Sequence, residues 1–248
     1  MSSTNTASDE LGESLTEYCN FNRNISDTES VRNLLPQVSE ALRYELLSSV
    51  KNSNGNTVLT RAAYKGHTEL CVTLLSSLPP ADRLKLILVN KRTALHCAAY
   101  QGYTNTVSGI LNCLTADQQH QLLFKQDSVG DTALLEAACK GHTETVKSIL
   151  DNLAPEQQLN LLLTKNCFGN TALHYAVREG HTETVKTLLD NLTPEQQLKL
   201  LSEKNAEGKT ASQEAVGYYG TFYTMSTLEH YQQEAYYGVN FRKFAKFS

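Results

Sequence analysis

The stretch NCFGNTALHYAVREGHTETVKTLL, residues Asn166 to Leu189, decides the fold of this chain. Leu173, Ala176 and Val177 recur at the spacing of one helical face, Gly180-His181 interrupts, and Val185, Leu188 and Leu189 form a second apolar face. The pattern predicts helix, turn, helix. Thr171 suits the N-cap because its hydroxyl can accept an orphan backbone N–H of the first turn, and Gly180 suits the left-handed position that ends a helix. Ahead of Thr171, Asn166 followed three residues later by Gly169 marks a tight turn, through side-chain hydrogen bonding by the one and tolerance of positive φ by the other.

Working outward, the same stretch returns along the chain. Gly-His-Thr-Glu stands at 66–69, 141–144 and 180–183, and Gly102-Tyr103-Thr104-Asn105 is its degenerate copy. The capping threonines are Thr57, Thr93, Thr132, Thr171 and Thr210, spaced by 36, 39, 39 and 39 residues. Turn pairs precede most of them at Asn52/Gly55, Asp127/Gly130 and Asn205/Gly208. Four full copies beginning near 52, 89, 127 and 166, and a degenerate fifth near 205, fill residues 52–220. Repeat two lacks about three residues ahead of Arg92, so its turn is the least regular.

The Thr-Ala-Leu-His elements at 93–96 and 171–174, each followed by Ala-Ala or Ala-Val and a turn glycine, resemble the ankyrin repeat. Several copies in phase carry the resemblance, where one Thr-x-Leu-His would mean little. It implies an all-α solenoid of helix-turn-helix units joined by short turns or hairpins, a non-enzymatic module that binds macromolecules. The family's usual proline is Val58, Ala94, Ala133, Ala172 or Ala211 here, a tolerated change because the first helical position does not require proline. The period exceeds the family's usual ~33 residues, and the surplus follows the second helix. In Thr193-Pro194-Glu195-Gln196-Gln197-Leu198-Lys199-Leu200-Leu201, a capping threonine, a proline at N1 and a glutamine three residues after the cap start a helix. Thr115-Ala116-Asp117-Gln118, Pro155-Glu156-Gln157-Gln158 and Pro80-Ala81-Asp82-Arg83 are related, so a third short helix is expected per repeat, held by leucines such as Leu159, Leu162, Leu198 and Leu201.

At the ends, residues 1–25 read as disordered and residues 26–51 as a helical N-terminal cap opened by a capping box at Ser26-Asp27-Thr28-Glu29, with Pro36 dividing it. Residues 221–248 read as a C-terminal capping helix with an aromatic and basic tail, Phe241-Arg242-Lys243-Phe244-Ala245-Lys246-Phe247, whose alternative role is a short interaction segment. Caps at both ends are the expectation for a whole array.

Composition narrows the function. The net charge of −4 supplies no basic field to gather phosphates, so neither nucleic acid nor an anionic membrane surface is the expected ligand. No run approaches a bilayer span and no secretory signal opens the chain, and the six cysteines lack Cys-x-x-Cys spacing. The expectation is a cytoplasmic monomer with free thiols and no cofactor or metal, unless it is delivered into a host cell. Five of the seven histidines have a repeat address: His96 and His174 end Thr-x-Leu-His, and His67, His142 and His181 follow the turn glycine. A residue type recurring at a fixed phase does a job once per repeat, such as bridging adjacent turns through ring hydrogen bonds. An enzyme using Cys167 or His230 is the remote alternative, and no catalytic site is assigned.

Ankyrin-like proteins hold partners with their turn tips and the exposed end of the first helix, which line a concave face. Carried over by phase, the resemblance implies contacts at Tyr64, Lys65, Tyr100, Gln101, Cys139, Lys140, Arg178 and Glu179. The turns add Arg92, Asp131, Phe168 and Asn170. The expected partner is a protein, either for a scaffold or adaptor of the cell itself or for an effector of an intracellular bacterium acting on its host.

Overall fold

The computed structural model describes residues 3–20, 26–190, 192–215 and 222–245. Among these residues the chain is all-α, as expected, and β-structure is limited to two isolated bridges, Lys51–Thr57 and Lys204–Thr210, each closing one turn. The chain divides into two compact units, residues 1–122 and 123–248.

The first unit contains α1 (Ser3–Asn20), α2 (Ser26–Leu34), a 3-10 turn (Leu35–Gln37), α3 (Glu40–Ser49), α4 (Val58–Tyr64), α5 (Thr68–Ser76), α6 (Pro80–Ile87), α7 (Ala94–Gln101), α8 (Thr104–Asn112) and α9 (Ala116–Leu123). Each repeat is three helices. First helix packs on first helix (α4 on α7) and second on second (α5 on α8). Their facing sides are small and apolar: Ala62, Ala63, Ala98 and Ala99 have no exposed surface, and neither do Leu74, Leu75, Ile110 and Leu111. Alanines let the first helices approach closely while leucines fill the space between layers.

The second unit contains α10 (Ala133–Cys139), α11 (Thr143–Asp151), α12 (Pro155–Leu162), α13 (Ala172–Arg178), α14 (Thr182–Leu189), α15 (Pro194–Ser202), α16 (Ala211–Glu214) and α17 (Phe222–Ala245). The stacking is the same, with α10 on α13 on α16 and α11 on α14 on α17. The four-residue α16 is all that remains of the fifth first helix, while α17 takes the second-helix place, buries Leu228 and Ala235, and packs along α14 and α15. The sequence 216–221 and the side chains of the aromatic and basic tail lie outside the described residues.

The expected third helices are α6, α9, α12 and α15, but their buried faces are not quite those anticipated. Leu161 and Leu162 are buried in α12 and Leu200 in α15, while Leu159, Leu198 and Leu201 are half-buried. A shared side-chain bond seats these helices. Five residues after the loop leucine, Gln119, Gln158 and Gln197 donate from Nε2 to the last carbonyls of the preceding helix, at Leu111, Leu150 and Leu189, over 2.9, 3.0 and 3.0 Å. Arg83 occupies the same place with arginine, donating to Leu78 O and across to Cys113 O of the next repeat.

That device corrects the N-terminal reading. Arg43, five residues after Val38, donates to Val38 O and across to Ser77 O, as Arg83 does one repeat later. Residues 3–20, expected to be disordered, form α1, with Ala7, Leu11, Leu15, Tyr18 and Cys19 buried along one face. Because α1, α2 and α3 pack on α4, α5 and α6 respectively, they are a complete three-helix repeat rather than a cap beginning at 26. The physical reason is that an apolar stripe at helical spacing suffices even when the positions around it are Ser, Thr, Asn, Asp, Glu and Gly. Residues 21–25 and the side chains of Ser26, Asp27 and Thr28 in the expected capping box lie outside the described residues.

The turns form a series of fingers. Asn52, Asp127, Asn166 and Asn205 each accept two backbone N–H groups on one side-chain oxygen, from the residues two and four positions on, at 2.9–3.0 Å. In the second unit the fingers are also joined backbone to backbone: Cys167 N donates to Val129 O (3.0 Å) and Ala206 N to Phe168 O (2.9 Å). A Cβ at Gly169, where φ is +73°, would stand 2.5 Å from Ala206 N, whereas one at Gly208 (φ +76°) meets nothing within 4 Å. Both positions strain an alanine, but only Gly169 also separates two fingers. Gly208→Ala is expected to cost about 1 kcal/mol and Gly169→Ala roughly 2–4 kcal/mol, read as a difference in urea midpoints; equal costs would show that finger contact contributes nothing.

Candidate functional site

Capping chemistry fixes where each first helix begins and therefore what its far end presents. Thr93 and Thr171 accept the N–H at N3, and the histidine at N3 returns the bond, with His96 and His174 Nδ1 accepting Thr93 and Thr171 N–H, each at 3.3 Å. Because Nδ1 is an acceptor, Nε2 carries the proton, and His174 Nε2 donates to Lys209 O of the next repeat at 3.2 Å. His181 Nε2 donates backwards to Cys139 O at 3.1 Å, its ring filling the space a side chain at Gly141 would need. Tyr103 does the same steric work over Gly66. These rings join repeats, which is the structural role their fixed phase implied.

Threonines on the second helices form a parallel set of joints. Thr68–Thr106, Thr143–Thr184 and Thr182–Thr224 pair hydroxyl to hydroxyl at 2.7, 2.9 and 2.9 Å. Burial of such pairs is tolerated only because each hydroxyl is satisfied.

On this frame the first unit brings together five of the expected contact residues. Tyr64 and Tyr100 hold one phase of α4 and α7, and Lys65 and Gln101 the next. Tyr64 is 44% exposed, the others half-buried. Arg92 lies with its guanidinium 4.7 Å from the Tyr100 ring centre, and the Lys65 ammonium 5.7 Å from that of Tyr18. Burial, then the neighbouring Arg61, holds the Lys65 ammonium below its ordinary pKa. Repeat two has no finger of its own. Asn90 replaces it, donating to Gly55 O at 2.7 Å and accepting from Thr60 Oγ1 at 3.2 Å.

In the second unit, fingers four and five and the end of α13 enclose a cleft of about 610 Å³ lined by Phe168, Tyr175, Arg178, Glu207, Lys209 and Glu214 among others. Arg178 stacks 4.7 Å over the Tyr175 ring and donates from Nε to Glu179 Oε1 at 3.1 Å. Phe168 projects from finger four, 57% exposed. Asp131 is tied inward, accepting from Asn166 Nδ2 (2.8 Å), which also donates to Tyr175 Oη (2.7 Å). Burial, then the Asp131 charge, pushes the Tyr175 hydroxyl up to about 12. Lys140 and Glu179 are exposed, while Cys139 is half-buried and its thiol is raised by burial.

Asn170 corrects the carry-over. It is 6% exposed, its amide N–H held by Asn166 and its side-chain oxygen accepting from Asn205 Nδ2 at 3.2 Å, so it joins two fingers instead of facing a partner. Tyr175, Lys209 and Glu214, which line the cleft, were not among the expected contacts. Tyr175 and Glu214 share one phase, the fifth residue of each Thr-led element, which reads Arg61, Cys97, Glu136, Tyr175, Glu214 and is buried at Cys97, Glu136 and Tyr175.

The family model for ankyrin repeats (three copies) matches residues 22–122, 109–199 and 160–225. The chain belongs to the ankyrin-repeat family. No curated protein matches the sequence. Ankyrin repeats are in general protein–protein interaction modules, and their proteins are generally not enzymes. Among the described residues of this ankyrin array, no helix is long and apolar enough to cross a membrane, and no group of three or more histidines, cysteines or carboxylates is placed to hold a metal ion. Cys167 is exposed in finger four, and His230 lies on α17 with Nε2 3.5 Å from Glu234, both exposed.

The ankyrin histidine box carries a pH signature. His174 is 1% exposed, and burial holds its imidazole below the ordinary value, against the Lys209 carbonyl, which favours the charged ring. Above about pH 6.5 the ring is neutral in both folded and unfolded chains. Below it the unfolded chain takes up a proton that the folded one resists, so stability falls as pH falls toward the depressed folded value. Gln213 makes the same box in repeat five through its amide oxygen (2.9 Å to Thr210 N). His174→Gln is therefore expected to cost only about 1 kcal/mol at pH 7.5, for the lost bond to Lys209, and to flatten the decline in urea midpoint between pH 7 and 5. A slope identical to wild type would show that His174 titrates alike in both states.

Proposed function

We propose that this ankyrin chain is a non-enzymatic adaptor or scaffold that docks a protein partner on its fingers and the C-terminal ends of its first helices. It acts as a monomer in the cytoplasm, where six unpaired thiols persist. The observation that carries the reading is the contrast between phases. The cap position is threonine in all five elements, whereas seven residues later the side chain is Tyr64, Tyr100, Cys139 or Arg178. Frame positions recur because every repeat must stack, and surface positions differ where each repeat has its own contact to make.

Preorganisation supports the same reading. Arg92 and Arg178 are each stacked at 4.7 Å on a tyrosine, so their guanidinium planes are held before a partner arrives. A side chain already ordered loses less rotamer entropy on binding. Aromatic residues and arginine also dominate interface hot spots, and Tyr64 and Phe168 are both exposed.

The test is affinity capture from a lysate with wild type and a Tyr64→Ser, Tyr100→Ser, Phe168→Ser, Arg178→Ser variant, once circular dichroism shows both equally helical. The variant is expected to lose the principal partner, with affinity down at least about tenfold, while Lys147→Ser on the outer α11 retains it. Equal recovery by all three proteins would remove the finger and first-helix surface as the docking site.

A further inference from the structure

The last helix of the array departs from what a terminal helix needs. A repeat array ends on a polar outer face, because no neighbour covers it. On α17, Leu228 and Ala235 are buried against the array, while Phe222, Tyr223, Tyr236 and Tyr237 on its solvent side are 78%, 75%, 61% and 71% exposed. Nor is that side built to receive one more repeat. Thr68, Thr143 and Thr182 each pair with a hydroxyl of the repeat that follows, and at the same phase, two residues before Thr224, α17 carries Phe222.

Beside the second pair of tyrosines the surface is hollow. Leu198 of α15 and Glu229, Gln232, Gln233, Tyr236 and Tyr237 of α17 line a cavity of about 290 Å³ that shares no residue with the cleft between the fingers. It stands at the lower limit of the ~300–1,000 Å³ that hold small molecules, so a single side chain fits it better than a free ligand. The two tyrosine rings stand at 76° with centres 6.1 Å apart, a corner rather than a stack. One residue further on, α17 is held close to α15, where a Cβ at Gly238 would stand 3.1 Å from Pro194 Cγ. Charge selects the guest. From Phe222 to Asn240, α17 holds Glu229 and Glu234 and neither lysine nor arginine, and the cations of its tail begin at Arg242. Glu234 has His230 beside it at 3.5 Å. Among the described residues no cation pairs with Glu229 or lies over Tyr236 or Tyr237, and Lys199 and Lys204 line the adjoining cavity together with Glu195. Elsewhere the chain places its own cation over a tyrosine ring, Lys65 over Tyr18 and Arg178 over Tyr175. A carboxylate beside two exposed rings and a leucine is complementary to a cation on an apolar stem.

We propose that the solvent side of α17 is a second binding site, separate from the fingers, which takes a lysine or arginine side chain of a basic peptide segment. The cation meets the Glu229 carboxylate and the Tyr236 and Tyr237 rings, and its aliphatic stem meets Leu198. The site goes beyond the docking reading above and does not depend on it. A chain with both sites can hold two segments at once, one on each side of the array.

Fluorescence anisotropy with fluorescein-labelled peptides of lysines or arginines spaced by Gly-Ser supplies the test, with the glutamine counterpart as the uncharged control. The full chain is expected to bind the cationic peptides and not the glutamine one. Glu229→Gln with Tyr236→Gln and Tyr237→Gln, which keeps good helix formers on α17, is expected to weaken binding by about tenfold. Glu144→Gln on α11 removes the same charge elsewhere and is expected to leave binding unchanged. Each variant's thermal midpoint must match that of wild type, and Glu229→Gln alone, expected to weaken binding about threefold, serves if that of the triple variant does not. No binding of either cationic peptide, equal binding of the glutamine one, equal weakening by Glu144→Gln, or an affinity indifferent to Glu229 and the tyrosines would overturn the proposal. So would a wild-type chain that self-associates in sedimentation while the triple variant does not, since the face would then belong to a second copy. The docking reading is read out separately: the Tyr64→Ser, Tyr100→Ser, Phe168→Ser, Arg178→Ser variant is expected to hold the peptide as wild type does, and loss of the peptide there would place it on the fingers and overturn the second site alone.

Discussion

The fingers of the second unit hang on one contact between neighbouring repeats, the backbone bond from the tip of one finger to the next. Cys167 N meets Val129 O, and Ala206 N meets Phe168 O. For these atoms to approach, Gly130 and Gly169 must lack a Cβ and hold positive φ, and the Asn or Asp that opens the finger must turn its side chain onto two amides of its own loop. A finger satisfied in this way has no spare backbone group to send elsewhere, which is why an exposed loop can keep one shape. Phe168 is held out from the surface by atoms that all belong to the frame.

The deeper layers repeat that logic with other chemistry. Histidine rings bridge the first-helix layer, threonine pairs bridge the second, and Gln or Arg side chains seat the third. No single joint is worth more than about a kilocalorie or two, but several recur along the array. An array of this kind gains its stability from neighbours, so a joint missing at one site must be replaced there. Asn90 does this in repeat two, where the finger is too short and an amide side chain reaches Gly55 O in its stead.

The parts of the fold that were legible in sequence are those that chemistry forces to recur. Thr-x-Leu-His, Gly-His and the Asn/Gly turn appear in phase because caps, left-handed glycines and Asx turns admit few substitutes. The first helix of the N-terminal repeat was illegible for the opposite reason: Ala7, Leu11, Leu15 and Tyr18 meet only the packing requirement, with no threonine cap or glycine to announce them. Of the residues that phase singled out, Tyr64 and Phe168 are exposed and Tyr100 and Arg178 half-buried, while Asn170 is buried with its amide consumed in joining fingers. Phase could not show that Tyr175 turns beneath Arg178, because that depends on a hydrogen bond from Asn166 nine residues earlier in sequence.

Hydrogen–deuterium exchange of individual finger amides tests most directly whether contacts between repeats hold the docking surface rigid. Cys167 and Ala206 are exposed at loop tips, yet their N–H groups are committed to the preceding finger. The account predicts slow exchange for both, approaching the protection of helix amides such as Ala176. Exchange at the rate of an unstructured peptide would contradict it, since fingers that open freely could not hold a prearranged surface for a partner.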